Sequence, residues 1–192
     1  MSSDLSGKAF VVDGSLAAGG ELAASLVERR ARVLVVAADE ATTEAVAGPL
    51  GDDVFSLAAD PTTAEGVDAL SASVPIVLGR LDGAVLHCAG AGTPAGVAEL
   101  DDLAWRRACI RLVEAPARAV RELAPQLADG GVIVLVAPSP DGGATDVLLP
   151  ALRALAAALD ASLGPDVRVR LEAAADRDAF LSALGDYVRP GG

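Results

Sequence analysis

Apolar residues in this chain fall into short continuous runs separated by stretches in which apolar positions recur at helical spacing. The first run, Lys8–Asp13, is followed by glycines and then by Glu21–Arg30, where Leu22, Leu26 and neighbouring alanines repeat on one helical face. That pattern predicts strand, turn, helix. The alternation continues with a strand over Arg32–Ala37, a helix over Ala41–Gly48, and a strand over Val54–Ala58 that ends at Asp60-Pro61. Thr63–Ser73 predicts the next helix, with Thr62 or Thr63 able to cap it. Leu81–Cys88 carries a fourth strand into the turn Ala89-Gly90-Ala91-Gly92, and a long amphipathic segment runs from Leu103 to Leu127. Pro116 is expected to kink or break that segment. Gly131–Ala137, with its Val-Ile-Val-Leu-Val core, predicts a strand buried on both faces. Asp146–Leu163 predicts a long helix, Ala/Leu-rich nearly all round, so more than one of its faces should be buried. Val167–Leu171 predicts the last strand and Asp176–Val188 a final helix.

Strand and helix alternate throughout, which is the pattern of an α/β fold. It implies a doubly wound parallel sheet of about six strands, with right-handed crossovers and helices on both faces. A chain of 192 residues is long enough to bury roughly 70% of its unfolded surface around one core. No linker or internal repeat divides it, so residues 1–192 are read as a single domain. The composition is 52% hydrophobic but only 3% aromatic, which leaves Ala, Val and Leu to build the core by close packing.

Charge narrows the choice of partners. The formal net charge is −12 and the isoelectric point about 4.4, a field that repels nucleic acid and anionic lipid, so neither nucleic acid nor membrane is expected as a partner. Despite a mean hydropathy of +0.44, no apolar run approaches the roughly 18 residues of a membrane span. Met1–Lys8 is polar and lacks the layout of a signal peptide, which implies a cytoplasmic location. Cys88 and Cys109 form no disulfide framework or metal-ligand spacing and are expected as buried free thiols; no metal site is expected.

From Gly7 to Val33 the order Gly-Lys, apolar strand, Gly14, Gly20, helix, Ala-Arg-Val resembles the amino-terminal unit of the short-chain dehydrogenase/reductase family. The family turn is Thr-Gly-x-x-x-Gly-x-Gly. This chain has Asp13-Gly14-Ser15-Leu16-Ala17-Ala18-Gly19-Gly20, so Ala18 replaces the middle glycine and Asp13 the threonine. Asp60 stands where the family places an adenine-contacting aspartate. His87-Cys88-Ala89-Gly90 stands on its Asn-Asn-Ala-Gly motif. Trp105 and Pro125 bracket the next helix at the family's spacing, and Leu163–Val169 is similar to its helix-to-strand junction. The resemblance covers about Gly7 to Val169 and implies a Rossmann-type, NAD(P)-binding fold.

The same resemblance implies an asparagine, a serine, a tyrosine and a lysine for hydride chemistry, each with its own functional group. Counting from the matched segments puts Leu112, Pro138, Thr145 and Leu149 at those positions, with Ser139 one residue past the serine position. The loop between Pro138 and Thr145 is short for the family, and the chain ends before a substrate loop would return. The domain is accordingly read as truncated at its carboxyl end. This reading makes the protein a pseudoenzyme, with no catalytic residues and with Gly14, Gly19, Gly20, Asp60, Ala89 and Gly90 as a vestigial or weak cofactor site. The expected cofactor is none, or NAD(P) held weakly.

Association is the expected role. The helices 103–127 and 146–163 correspond to those that pair subunits in the family, and Ala151, Leu152, Leu155, Ala156, Leu159 and Leu163 offer an Ala/Leu face for close approach. A homodimer, or a heteromer with a related catalytic subunit, would cover it. Arg106, Arg107, Arg111, Arg118 and Arg121 give the first of these helices a locally basic face. The rival reading is an enzyme: a divergent NAD(P)-dependent oxidoreductase, or a non-redox catalyst using His87 with Ser139, Asp141, Thr145 and Asp146 on the following loop. His87 is the sole histidine and falls at the carboxyl end of the fourth strand, where α/β folds place ligands.

Overall fold

The computed structural model describes residues 4–51, 54–88, 97–140 and 143–173. Six strands form one parallel sheet in the order β3-β2-β1-β4-β5-β6: β1 (Ala9–Asp13), β2 (Arg32–Ala37), β3 (Val54–Ala58), β4 (Leu81–His87), β5 (Leu127–Ala137) and β6 (Val167–Ala173). The chain winds outward from β1 to β3, returns to place β4 beside β1, and winds outward again. A crevice therefore opens at the carboxyl ends of β1 and β4, where the two halves diverge. The predicted final helix, 176–188, lies outside the described residues.

Alternating side chains of each central strand feed two separate cores. Phe10, Val12, Val33, Val35, Val132, Val134 and Val136 pack on one face with Leu22, Ala23 and Leu26 of α1 (Gly19–Glu28). Helix α2 (Glu40–Ala47) lies on that same side through Ala47. Val11, Leu34, Val36, Ile133 and Leu135 point the other way, into a core shared with α3 (Ala64–Val77), α4 (Asp102–Cys109), α5 (Ala115–Leu123) and α6 (Ala144–Ser162). Strands buried on both faces need apolar residues at every position, and β1 has no exposed residue at all.

Two proline-bearing segments shape the helices, and one of them departs from expectation. Helix α3 runs through Pro75 to Val77 instead of stopping near Ser73. The Ser71 carbonyl that Pro75 cannot serve accepts instead from Gln126 Nε2, at 3.1 Å, which ties α3 to the end of α5. Arg32 closes the helix by donating to the carbonyls of Val77 and Leu78 while its guanidinium lies over the Phe55 ring, 5.8 Å from the centroid. The segment 103–127 is broken near Pro116, as expected. A π-helical turn, Ile110–Glu114, separates α4 from α5, with Ala115 N–H donating to the Ile110 carbonyl and Pro116 entering the first turn of α5.

At the amino-terminal edge of the sheet, Asp82 is only 5% exposed and receives three donors. Lys8 Nζ and Arg80 Nη2 reach Oδ1 at 2.9 and 2.7 Å, and Ala9 N–H reaches Oδ2 at 3.0 Å. Burial pushes this carboxyl up, but the hydrogen bonds from Arg80, Lys8 and Ala9 outweigh that and hold it below the ordinary value of 3.8. A carboxyl lowered on folding contributes stability that is complete above its unfolded value and is lost as pH falls through the folded one. Asp82→Asn is expected to cost about 2 kcal/mol at neutral pH. Urea unfolding of both proteins across pH checks this: the gap should be widest at neutral pH and close below pH 3.8. A gap independent of pH would show that the charge on Asp82 does not carry the stabilisation.

Candidate functional site

The crevice is built where β1 hands the chain to the glycine turn. Asp13, the last residue of β1, is fully buried. Its Oδ1 accepts from Ser15 N–H at 2.9 Å and from Ser15 Oγ at 2.6 Å, and its Oδ2 accepts from His87 N–H at 3.1 Å. The side chain thus shapes the turn and joins the carboxyl ends of β1 and β4. Helix α1 begins at Gly19 behind Ala18, with no side chain capping its first amide groups. The two glycines there have different reasons to be glycine. A Cβ on Gly19 would fall 2.6 Å from the Asp13 carbonyl oxygen, whereas a Cβ on Gly20 would meet nothing within 4 Å. Packing requires the first glycine, and the second leaves open space at the helix start.

Other polar groups along the same edge are engaged locally. Asp39 caps α2, accepting from Thr42 N–H at 2.8 Å and Thr42 Oγ1 at 2.9 Å, and these bonds lower its pKa. Asp60 accepts from Thr62 N–H at 2.9 Å and Thr62 Oγ1 at 2.7 Å, while Thr63 caps α3 by accepting from Gly66 N–H. The turn of Asp60 is therefore one that its own neighbours satisfy. Cys88, just past β4, is buried, and burial followed by the charge of Asp13 pushes its thiol up to about 12. Cys109 is a free thiol too, but it is only half-buried, against the expectation that both are enclosed. Ala89 and Gly90, expected in the cofactor site, and Asp141, expected near the catalytic loop, lie outside the described residues.

The four positions where the family's reacting groups are expected are all packed inward. Leu112 is fully buried within the π-helical turn, Pro138 is buried just past β5, and Thr145 and Leu149 are buried on α6. Among the described residues, His87 and Ser139 line different cavities. His87 lines a crevice of about 10 Å³ with Thr62, Cys88 and Arg111. Ser139 lines a cavity of about 210 Å³ with Pro140, Leu149, Arg153 and Glu172. Arg153 was not singled out by sequence reasoning, and its position one helical turn beyond Leu149 was the signal available. A third cavity, about 360 Å³, lies against α5 and is lined by Ile110, Glu114, Arg118 and Arg121. The basic face expected there is partly neutralised, since Arg118 forms a forked pair with Asp68 and Arg121 pairs with Glu122.

A six-stranded parallel sheet in this order, with a glycine turn opening α1 at the crevice, defines a Rossmann-type α/β protein. A sequence model of the short chain dehydrogenase family matches residues 8–144, and the chain belongs to that family. Solved structures agree. L-sorbose reductase from Gluconobacter frateurii, complexed with NADPH and L-sorbose, is 29% identical with a TM-score of 0.78, over 89% of this chain and 70% of that one. A metagenomic short-chain oxidoreductase in complex with NADP is 25% identical with a TM-score of 0.80, over 98% and 93%. A short-chain dehydrogenase/reductase from Brucella melitensis, 20% identical with a TM-score of 0.79 over 90% and 77%, shares the fold. Among the described residues no helix is long and apolar enough to cross a membrane.

The two glycines at the start of α1 make opposite predictions. Gly19→Ala should cost about 1–3 kcal/mol, because backbone must move to admit the methyl. Gly20→Ala should change stability by about 1 kcal/mol at most, and in the favourable direction, because the helix gains a better former and nothing is displaced. Thermal melts of the two variants beside the parent check the pair. Equal effects would contradict the packing described.

Proposed function

We propose that this protein is a non-catalytic member of its family, a structural or regulatory subunit that works by association. The observation that carries this reading is the setting of Thr145 and Leu149. The family resemblance puts a proton-donating phenol and a ribose-holding amine at those two positions on α6. Here a threonine and a leucine occupy them, 0% and 7% exposed, and Leu149 packs on the core while lining the cavity that holds Ser139. Leucine has no group that can donate a proton or hold a hydroxyl.

The residues present also fit a dinucleotide poorly. The uncapped start of α1 and the open space at Gly20 would receive a phosphate, but buried Asp13 already takes the Ser15 amide and hydroxyl at that turn. Asp39 and Asp60 are likewise held by their own threonines. Cofactor binding is therefore absent or weak. A divergent oxidoreductase is the second reading, favoured by the open α1 start and by relatives solved with NADPH or NADP. Purified protein incubated with NADPH or NADH and a panel of carbonyl compounds should consume no cofactor above buffer. Sustained consumption that tracks protein concentration would establish the second reading instead.

The association surface differs from the one the helical pattern implied. Leu152 and Ala156 are buried, and Leu155, Leu159 and Leu163 pack against the core of their own chain. Of the expected face Ala151 is exposed, and it is joined on the outward side of α6 by exposed Val147, Ala154, Ala158 and Ala161. Small side chains there let a second helix approach closely, either from another copy or from a related catalytic subunit. Sedimentation across a concentration series should show a dimer or larger assembly that Ala154→Glu disperses without lowering the melting temperature of the fold. A monomer at every concentration, with no related chain co-purifying, would remove the association proposal.

A further inference from the structure

We infer that Asp13 is a resident anion of the glycine turn: its carboxylate occupies with its own charge the place that makes this fold receptive to phosphate, and so closes the crevice to pyrophosphate-bearing nucleotides. The inference rests on the reading above that dinucleotide is not firmly held, and it assigns the cause to one side chain.

The geometry argues this in three steps. First, among the described residues the Asp13 carboxylate accepts from two backbone amides, Ser15 and His87, and one hydroxyl, Ser15 Oγ. Second, the side chain is 0% exposed and no cation pairs with it among the described residues, so its negative charge is answered only by those donors and by the nearby start of α1. The charge is felt locally, because it adds to burial in raising the Cys88 thiol. Third, the residue that carries the acid is packed on the helix start through its backbone, since a Cβ on Gly19 would already fall 2.6 Å from the main-chain carbonyl oxygen of Asp13. A ligand phosphate brought to that helix start adds negative charge beside a buried carboxylate that water does not screen. A neutral side chain at position 13 could still bridge β1 and β4 by hydrogen bonds while leaving the dipole of α1 uncompensated.

The test is NADPH affinity of the full chain, measured by calorimetry, for the parent protein and for Asp13→Thr and Asp13→Asn, with melting curves to establish that each is folded. Both neutral variants should bind at least about tenfold more tightly than the parent, the factor that about 1.4 kcal/mol represents. Folded variants that bind no more tightly overturn the inference, as does a parent protein already binding at micromolar levels. The parent supplies an independent readout should the variants fail to fold: it should show no NADPH binding at micromolar concentration, and binding at that level overturns the inference. The outcome is separable from the functional reading: variants that gain affinity without consuming NADPH support both, whereas turnover by the parent defeats the functional reading whatever happens at position 13.

Discussion

Between β1 and β4 the sheet changes its direction of winding, and the register there is short, running only from Phe10 against Gly83 to Val12 against Val85. Both strands are almost wholly buried, so water cannot satisfy polar groups where the ladder ends. Two carboxylates do so instead. Asp82 gathers Lys8, Arg80 and the Ala9 amide at the amino-terminal edge, and Asp13 gathers the Ser15 and His87 groups at the carboxyl edge. The central joint of the molecule is thus clamped at both ends by buried acids, and the outer strands are laid against it.

The two clamps are chemically unequal, and the difference matters for the site. Asp82 faces two cations, so its charge is neutralised where it sits. Among the described residues Asp13 meets only neutral donors, so it imposes its charge on the crevice that the winding creates. A feature that completes the fold at the sheet's turning point therefore also governs what can approach it. The rest of that edge is self-contained, with Asp39 and Asp60 consumed in capping and turn formation and Cys88 held as an unreactive thiol.

Much of the architecture was legible from periodicity. The strands at Arg32–Ala37 and Val54–Ala58 fall where the apolar runs place them, and the parallel α/β layering follows from central strands such as β1 and β4 that have no exposed residue. Of the two prolines, Pro116 breaks its segment as expected and Pro75 does not. Pro75 does not end its helix, because a carbonyl freed by proline can be served from another element, and Gln126 does so across a long sequence separation. Pro116 is accommodated by a π-helical turn, a local rearrangement with no signature of its own in the pattern of apolar positions. The Ala/Leu-rich α6 was read with the wrong face outward: where apolar residues occur all round a helix, the sequence does not say which stripe meets the sheet.

The sequence by itself determined the strand and helix alternation and the glycine turn at the head of α1, since these depend on residue type and order alone. It did not determine that the ends of β1 and β4 share a carboxylate, that His87 and Ser139 line separate cavities, or that Ala154 and not Leu155 faces outward. Those outcomes were decided by tertiary structure, for a simple reason. Each depends on distances between residues far apart in the chain, and such distances exist only once the sheet has brought its strands into register.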